Sequence, residues 1–204
     1  MMAQAGGMDV NALVQRLRRL AMLDTSVFDE VKDDPASTLP AAIVAVVSTF
    51  LTGIGGWLWW QMQDGSVEGG KFFMKSAVFG SIFAIVLLGV WVGITYVMLS
   101  QVFRARADVQ QLVRVMGFGS APLALGILLF IPKLDFGIGL TSIALLFGST
   151  TLAVQSATDA PAGRALAANA AGFAVWAIVL GFLVMGTYPW DSYAPGIFVF
   201  GWRS

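Results

Sequence analysis

The sequence predicts an all-α fold: a polytopic membrane bundle of about five transmembrane helices, preceded by an amphipathic N-terminal helix. Three observations carry this. Of 204 residues, 57% are hydrophobic and only 12% charged, whereas water-soluble domains carry about a quarter charged residues. Five stretches come close to or exceed the roughly 20 mostly apolar residues that cross a bilayer as a helix: Ala41 to Gln61, Phe73 to Ser100, Val109 to Ile131, Gly137 to Val154, and Ala165 to Gly186. The charged residues lie between these stretches or at their ends.

The organisation follows in three parts. Residues 1–39 form an N-terminal cytoplasmic segment, 40–187 the five-span membrane domain, and 188–204 an outer-side interfacial tail. In the tail, Ile197 to Phe200 with Trp202 is too short to cross and reads as an interfacial hook. The first forty residues hold no apolar run of signal-peptide length, so the first span is expected to act as its own insertion signal.

In the N-terminal segment Val10, Leu13, Val14, Leu17, Leu20 and Ala21 recur on one helical face, with Arg16, Arg18 and Arg19 off it. Such a basic amphipathic helix suits the headgroup region of an anionic membrane. It could equally pack on the protein's own cytoplasmic face, or dock a partner. Asp24 and Ser26 can start a second short helix, Asp34-Pro35 breaks it, and Thr38 and Pro40 open the first span. The acidic run Asp29, Glu30, Asp33, Asp34 reads as a solvated loop in preference to a divalent-ion site.

The connections constrain the bundle. Gln63 to Gly70 is a polar, glycine-rich loop. Pro132 to Asp135 and Thr158 to Pro161 are tight turns, with Asp135 placed to cap the fourth span and Pro161 suited to the first turn of the fifth. Short turns make spans three, four and five consecutive antiparallel neighbours. Arg114, the deepest charge, is expected to snorkel from the start of the third span.

Orientation follows from the basic residues near span ends. One side receives eight of them (Arg16, Arg18, Arg19, Lys32, Arg104, Arg106, Arg114, Arg164) and the other four (Lys71, Lys75, Lys133, Arg203). This predicts a multi-pass protein of the cell (inner) membrane with its N-terminus in the cytoplasm and its C-terminus outside. Trp57, Trp59 and Trp60 at the end of the first span, with Tyr188, Trp190 and Tyr193 after the fifth, then form an outer aromatic belt. Anchoring is the preferred role for these aromatics over a ligand cage.

Composition also excludes chemistry. There is no cysteine and no histidine. Disulfides, thiol catalysis, cysteine-ligated metals and imidazole-held haem or pigment are therefore ruled out. Twelve basic and twelve acidic residues cancel, so nothing points to nucleic acid. No acidic residue lies inside a span, which argues against proton-coupled transport. No phosphate loop, zinc signature or nucleophile elbow is present. No cofactor and no catalytic residue is expected.

What remains is packing. Gly89 and Gly93 form a GxxxG pair in the second span, and Ala168 and Gly172 a similar pair in the fifth; each serves internal packing or oligomerisation. The membrane hydroxyls, from Ser48 and Thr49 to Thr150 and Thr151, can bond back to their own helices. Asn169 cannot be satisfied so easily and should bond across to another helix. Pro122 can kink the third span, and Gly117 and Gly119 let a neighbour come close.

These residues carry a resemblance. Phe28 with Asp34-Pro35, then Gly117-Phe118-Gly119-Ser120-Ala121-Pro122, then Gly163-Arg164-Ala165 resemble the Yip family of five-span membrane proteins, over Leu20 to Gly186. The family's Gly-Tyr-Ser element before a proline has phenylalanine for tyrosine here, with a glycine intervening. The Asp-Leu-Tyr-Gly-Pro element of eukaryotic members is absent, so a Rab-type GTPase is not the expected partner. The alanine-rich, cysteine-free composition fits a bacterial member. The resemblance implies a non-enzymatic membrane protein that organises membranes or accompanies other subunits, whose partners are the lipid bilayer and other membrane subunits or further copies of itself. The rival expectation is a passive transporter or small pore lined by the hydroxyls of the fourth span and Asn169.

Overall fold

The structure, a computed structural model, describes residues 9–63 and 69–184. Among these are seven helices, five of them long and apolar enough to span a membrane. Helix α1 (Val10–Ala21) and α2 (Ser26–Lys32) precede the spans α3 (Thr38–Gln63), α4 (Gly69–Val102), α5 (Val109–Phe130), α6 (Asp135–Ser156) and α7 (Ala162–Val184). Trp190, the aromatics around it and the tail hook lie outside the described residues.

The spans form a ring of neighbours. α3 packs along α5, α5 along α6, α6 along α7, and α7 along α4, whose first turns close back onto α3. α3 and α6 flank α5 without packing closely on each other. Helices α1 and α2, the α4–α5 connection and the α6–α7 connection meet at one end. There the Arg106 amide donates to Asp159 (2.7 Å) and the Thr158 hydroxyl to the Arg106 carbonyl (2.9 Å).

α1 starts where the Asp9 carboxylate accepts the amides of Asn11 and Ala12, a side-chain cap on otherwise orphaned donors. It buries Leu13 and packs Leu17 and Leu20 against the core. α2 buries Val27, Phe28 and Val31 completely. The chain turns between the two helices through Leu23 at φ 62°, a left-handed conformation uncommon for leucine.

Two spans depart from regular α-helix. α4 widens into π-type turns over Phe73–Phe79 and Met98–Val102. Its 34 residues make it longer than a bilayer requires, so it tilts or protrudes. α5 is α-helical to Gly119 and then a tighter 3-10 helix over Ala121–Phe130. Pro122 sits in the first turn of that second half, where its missing N–H costs least. At Pro122, where the sequence allows a kink, the span changes from α-helical to tighter winding. A ten-residue 3-10 run is long for this geometry. It is supported from α3, where the Thr52 hydroxyl donates to the Leu123 carbonyl.

The rewound half lies against α3 almost backbone to backbone. A Cβ on Gly126 would come 2.7 Å from the Thr52 side chain, and Gly55 opposite lies directly against the Gly126 carbonyl. Higher up, a Cβ on Gly117 would come 2.8 Å from the Ala41 carbonyl oxygen. Asp135, expected as a helix cap, is instead the first residue of α6; its carboxylate accepts the Trp59 indole N–H at 3.0 Å. Gly126→Leu should therefore destabilise the bundle by about 1–3 kcal/mol or more through overpacking. Gly181→Leu, where an added Cβ meets nothing within 4 Å, should not. Denaturant unfolding of the two variants in micelles checks the contrast.

Candidate functional site

Polar chemistry concentrates in two places: a node at membrane depth and a clasp at the end where α1 and α2 sit. The node centres on Asn169, which is fully buried on α7. Its amide nitrogen donates to the hydroxyls of Thr150 (3.1 Å) and Thr151 (2.9 Å) on α6. Its side-chain and backbone oxygens both accept the Trp91 indole N–H from α4 at 3.0 Å. One carboxamide thus ties three spans, and both ends of it are satisfied. Ala168 is buried beside it. One turn on, Gly172 has the Trp91 ring lying on it, where any side chain would collide. Phe173 and Trp176 continue the cluster, with ring centroids 5.3 and 5.8 Å from Trp91. The Ala168/Gly172 pair is therefore internal packing. Gly119 places α5 against the same stretch of α6, since its Cβ would meet Thr150 at 3.2–3.4 Å, and Phe118 beside it is fully buried.

Several hydroxyls turn back on their own helices: Thr49 to Ala45, Ser120 to Gly117, and, besides accepting from Asn169, Thr150 to Leu146. Thr95 Oγ1 is buried with no partner.

The clasp is electrostatic. Glu30 accepts Arg16 Nε at 2.8 Å and Arg19 Nη1 at 2.7 Å. Arg19 also pairs with Asp24 at 2.9 Å, and Arg16 donates to Ser37 at 2.9 Å and reaches Asp34 at 3.5 Å. Asp29 takes Lys32, and Asp33 accepts from Gln111 of α5. The acidic run is thus committed to the protein's own donors. Arg16 and Arg19, expected to face headgroups, face α2 instead; Arg18 remains exposed and makes no ion pair among the described residues.

The Arg114 side chain runs toward the capped end but is only 6% exposed, so its charge is met by protein groups there. Its guanidinium donates to the Lys32 carbonyl (2.6 Å), the Thr38 hydroxyl (3.0 Å) and Gln110 (3.3 Å). Lys32 ends α2, so the cation sits at the negative end of that helix. Lys32 itself donates to the Ser156 carbonyl at the end of α6 (2.9 Å). Together these groups fasten the cap to α3, α5 and α6. Sequence spacing offers no signal for such partners, which lie 76 and 82 residues from Arg114.

At the opposite end the tryptophans are partly internal. Trp59 is buried on Asp135, while Trp57 and Trp60 are half-buried. Trp57 packs edge-on against Phe73 at 5.4 Å and donates to the Gly69 carbonyl; Trp60 packs against Phe72 at 5.8 Å. Gly89 and Gly93 lie on the outward face of α4, where an added Cβ meets nothing within 4 Å.

A cap, a closed apolar ring and no strand among the described residues define a multi-pass helical membrane protein. A family profile described as the Yip1 domain matches residues 23–187, and the chain belongs to that family. No curated protein and no solved structure matches it.

The clasp carries a pH signature. Hydrogen bonds from Ser26 and Arg19 hold the Asp24 carboxyl down at about 2. Arg16 and Arg19 lower Glu30, and Ser37 lowers Asp34. Depressed carboxylates stabilise the folded form above their unfolded values and lose that contribution as pH falls through the folded ones. A nitroxide on a single cysteine at Gln15 should therefore show α1 immobilised from neutral pH down to the ordinary carboxylate range. Mobility should rise only as pH falls below that range, through the lowered values of Glu30, Asp34 and Asp24. Glu30→Gln should raise mobility at neutral pH.

Proposed function

We propose that this protein is a non-enzymatic scaffold or accessory subunit of the cell (inner) membrane, with its capped end and N-terminus in the cytoplasm and its C-terminus outside. It works through helix–helix contacts with other membrane subunits or with copies of itself. The observation that carries this reading is the division of labour between spans. The Asn169 node and the Gly117, Gly126 and Gly172 approaches are consumed inside the bundle. Gly89 and Gly93 of α4 are not, and the valines around them, Val86, Val90 and Val97, are also exposed. Small residues on an open helix face let another backbone come close in lipid. The eight basic residues gathered at the capped end and its connections support the orientation.

The pore reading draws no support from Asn169, whose carboxamide is buried and bonded at both ends. Extraction in mild detergent followed by mass spectrometry tests the proposal. A stoichiometric membrane partner or a defined homo-oligomer is expected, and Gly89→Leu/Gly93→Leu should release it with the fold intact. Purification as a lone monomer that passes small solutes across liposomes would contradict it.

A further inference from the structure

An apolar groove runs beneath the amphipathic helix. It lies between α3 and α6, which flank α5 without packing closely on each other, and its floor is the rewound half of α5 at Pro122 and Leu125. α1 roofs it with Leu13, Leu17 and Leu20. The volume is ≈ 850 Å³, within the roughly 300–1,000 Å³ of ligand-binding cavities. Its walls are predominantly apolar, with Phe28 and Phe118 among the aliphatic side chains; of the hydroxyls on the lining (Thr25, Ser48, Ser149), that of Ser48 is bonded to the Ala45 carbonyl. Along α3 the lining descends from Ile43 to Leu51, about 12 Å at helical rise. One leaflet of a hydrocarbon core of about 30 Å is about 15 Å deep. On the α6 side, Ala144, Leu145 and Gly148 are exposed, so the groove opens sideways toward lipid.

The mouth lies at headgroup level. Beside the roof, Val10, Val14, Met22, Leu23 and Leu39 are all more than half exposed. An apolar surface of that kind on a polar cap belongs in the membrane interface. Arg18 lies one turn beyond Val14 on this outer flank. Unlike Arg16 and Arg19, it has no carboxylate partner among the described residues. An apolar slot one leaflet deep, with an uncompensated guanidinium at its interfacial mouth, is complementary to one class of molecule.

We infer that the groove holds the acyl chains of an anionic glycerophospholipid from the same leaflet, with Arg18 at its phosphate and α1 acting as the roof over the chains. The lipid is then a bound component of the fold and distinct from the lipid that merely surrounds it. Gly148 provides a way to fill the slot: an added Cβ there meets nothing within 4 Å, so a large side chain enters the groove without displacing packed neighbours.

Full-length protein equilibrated with equal phosphatidylglycerol and phosphatidylcholine, then examined by native mass spectrometry, tests this. One phosphatidylglycerol per chain is expected, preferred by about five-fold from a single surface arginine. Gly148→Phe should cut occupancy about ten-fold by displacing chain methylenes. Arg18→Gln should keep the lipid but abolish the headgroup preference. In the unsubstituted protein, a diazirine on the acyl chain of phosphatidylglycerol should label 43–51 and 144–152 above all other segments, whether or not Gly148→Phe folds. Equal binding of both lipids, occupancy unchanged in folded Gly148→Phe, or labelling no stronger there than around Val86 and Val90 would overturn the inference. So would a dimer that Gly148→Phe dissociates at constant lipid count, which would assign the groove to a second copy.

Discussion

At membrane depth no water is available to accept or donate a hydrogen bond, so a polar group there is costly unless it finds a partner inside the protein. The rest of the structure depends on that constraint. It sends the serine and threonine hydroxyls back to their own helices. It explains why the carbonyl of Leu123, in the rewound half of α5, receives the Thr52 hydroxyl of a neighbouring span. It also explains why the fully buried carboxamide of Asn169 is met by groups from both α4 and α6. Hydrogen bonds across transmembrane helices are individually modest, about 0.6 kcal/mol on average. Their effect here is selective: they set which faces turn inward, and the close contacts at Gly55, Gly126 and Gly172 follow from those choices.

The capped end obeys a different rule, because water and headgroups are near. There the charges pair. Arg16 and Arg19 join α1 to α2 through Glu30, and Arg114 and Lys32 join α2 to the ends of three spans. Surface ion pairs contribute about 0–1 kcal/mol each. The buried Arg114 is the stronger constraint, since removing its acceptors would leave a desolvated charge. A cap held by charge above a bundle held by close packing leaves the apolar groove between them. The outward Gly89–Gly93 face is likewise not consumed by the fold.

Much of this was legible in the sequence because it is local. Runs of apolar residues fix where spans occur, and the period of Leu13, Leu17 and Leu20 marks α1 as amphipathic. Pro122 announces a break in the third span by its chemistry. Its consequence, ten residues of tighter helix, depends on Thr52 and Gly55 of another span and could not be read locally. The same holds for Arg114, whose place near the start of the third span suggests snorkelling to the interface but not its partners, which lie far along the chain. Asp135 looked like a cap because of its place in a turn, but the Trp59 indole reaches it from the first span. In the GxxxG pairs, spacing identified close-approach faces without saying which would be used. Trp91 occupies one, and the other is open.

The central claim is that the Asn169 node and the hydroxyls bonded within the bundle are spent on the fold and closed to water. The chain has no cysteine, so a single introduced thiol reports its surroundings without background. Thr150→Cys and Ser120→Cys, both at fully buried positions, can be challenged in membrane vesicles with a charged methanethiosulfonate from either side. Both should stay unmodified under conditions that modify Gln15→Cys completely. Modification of Thr150→Cys at a rate comparable to Gln15→Cys would reveal a water-filled path through the Asn169 node and contradict the account.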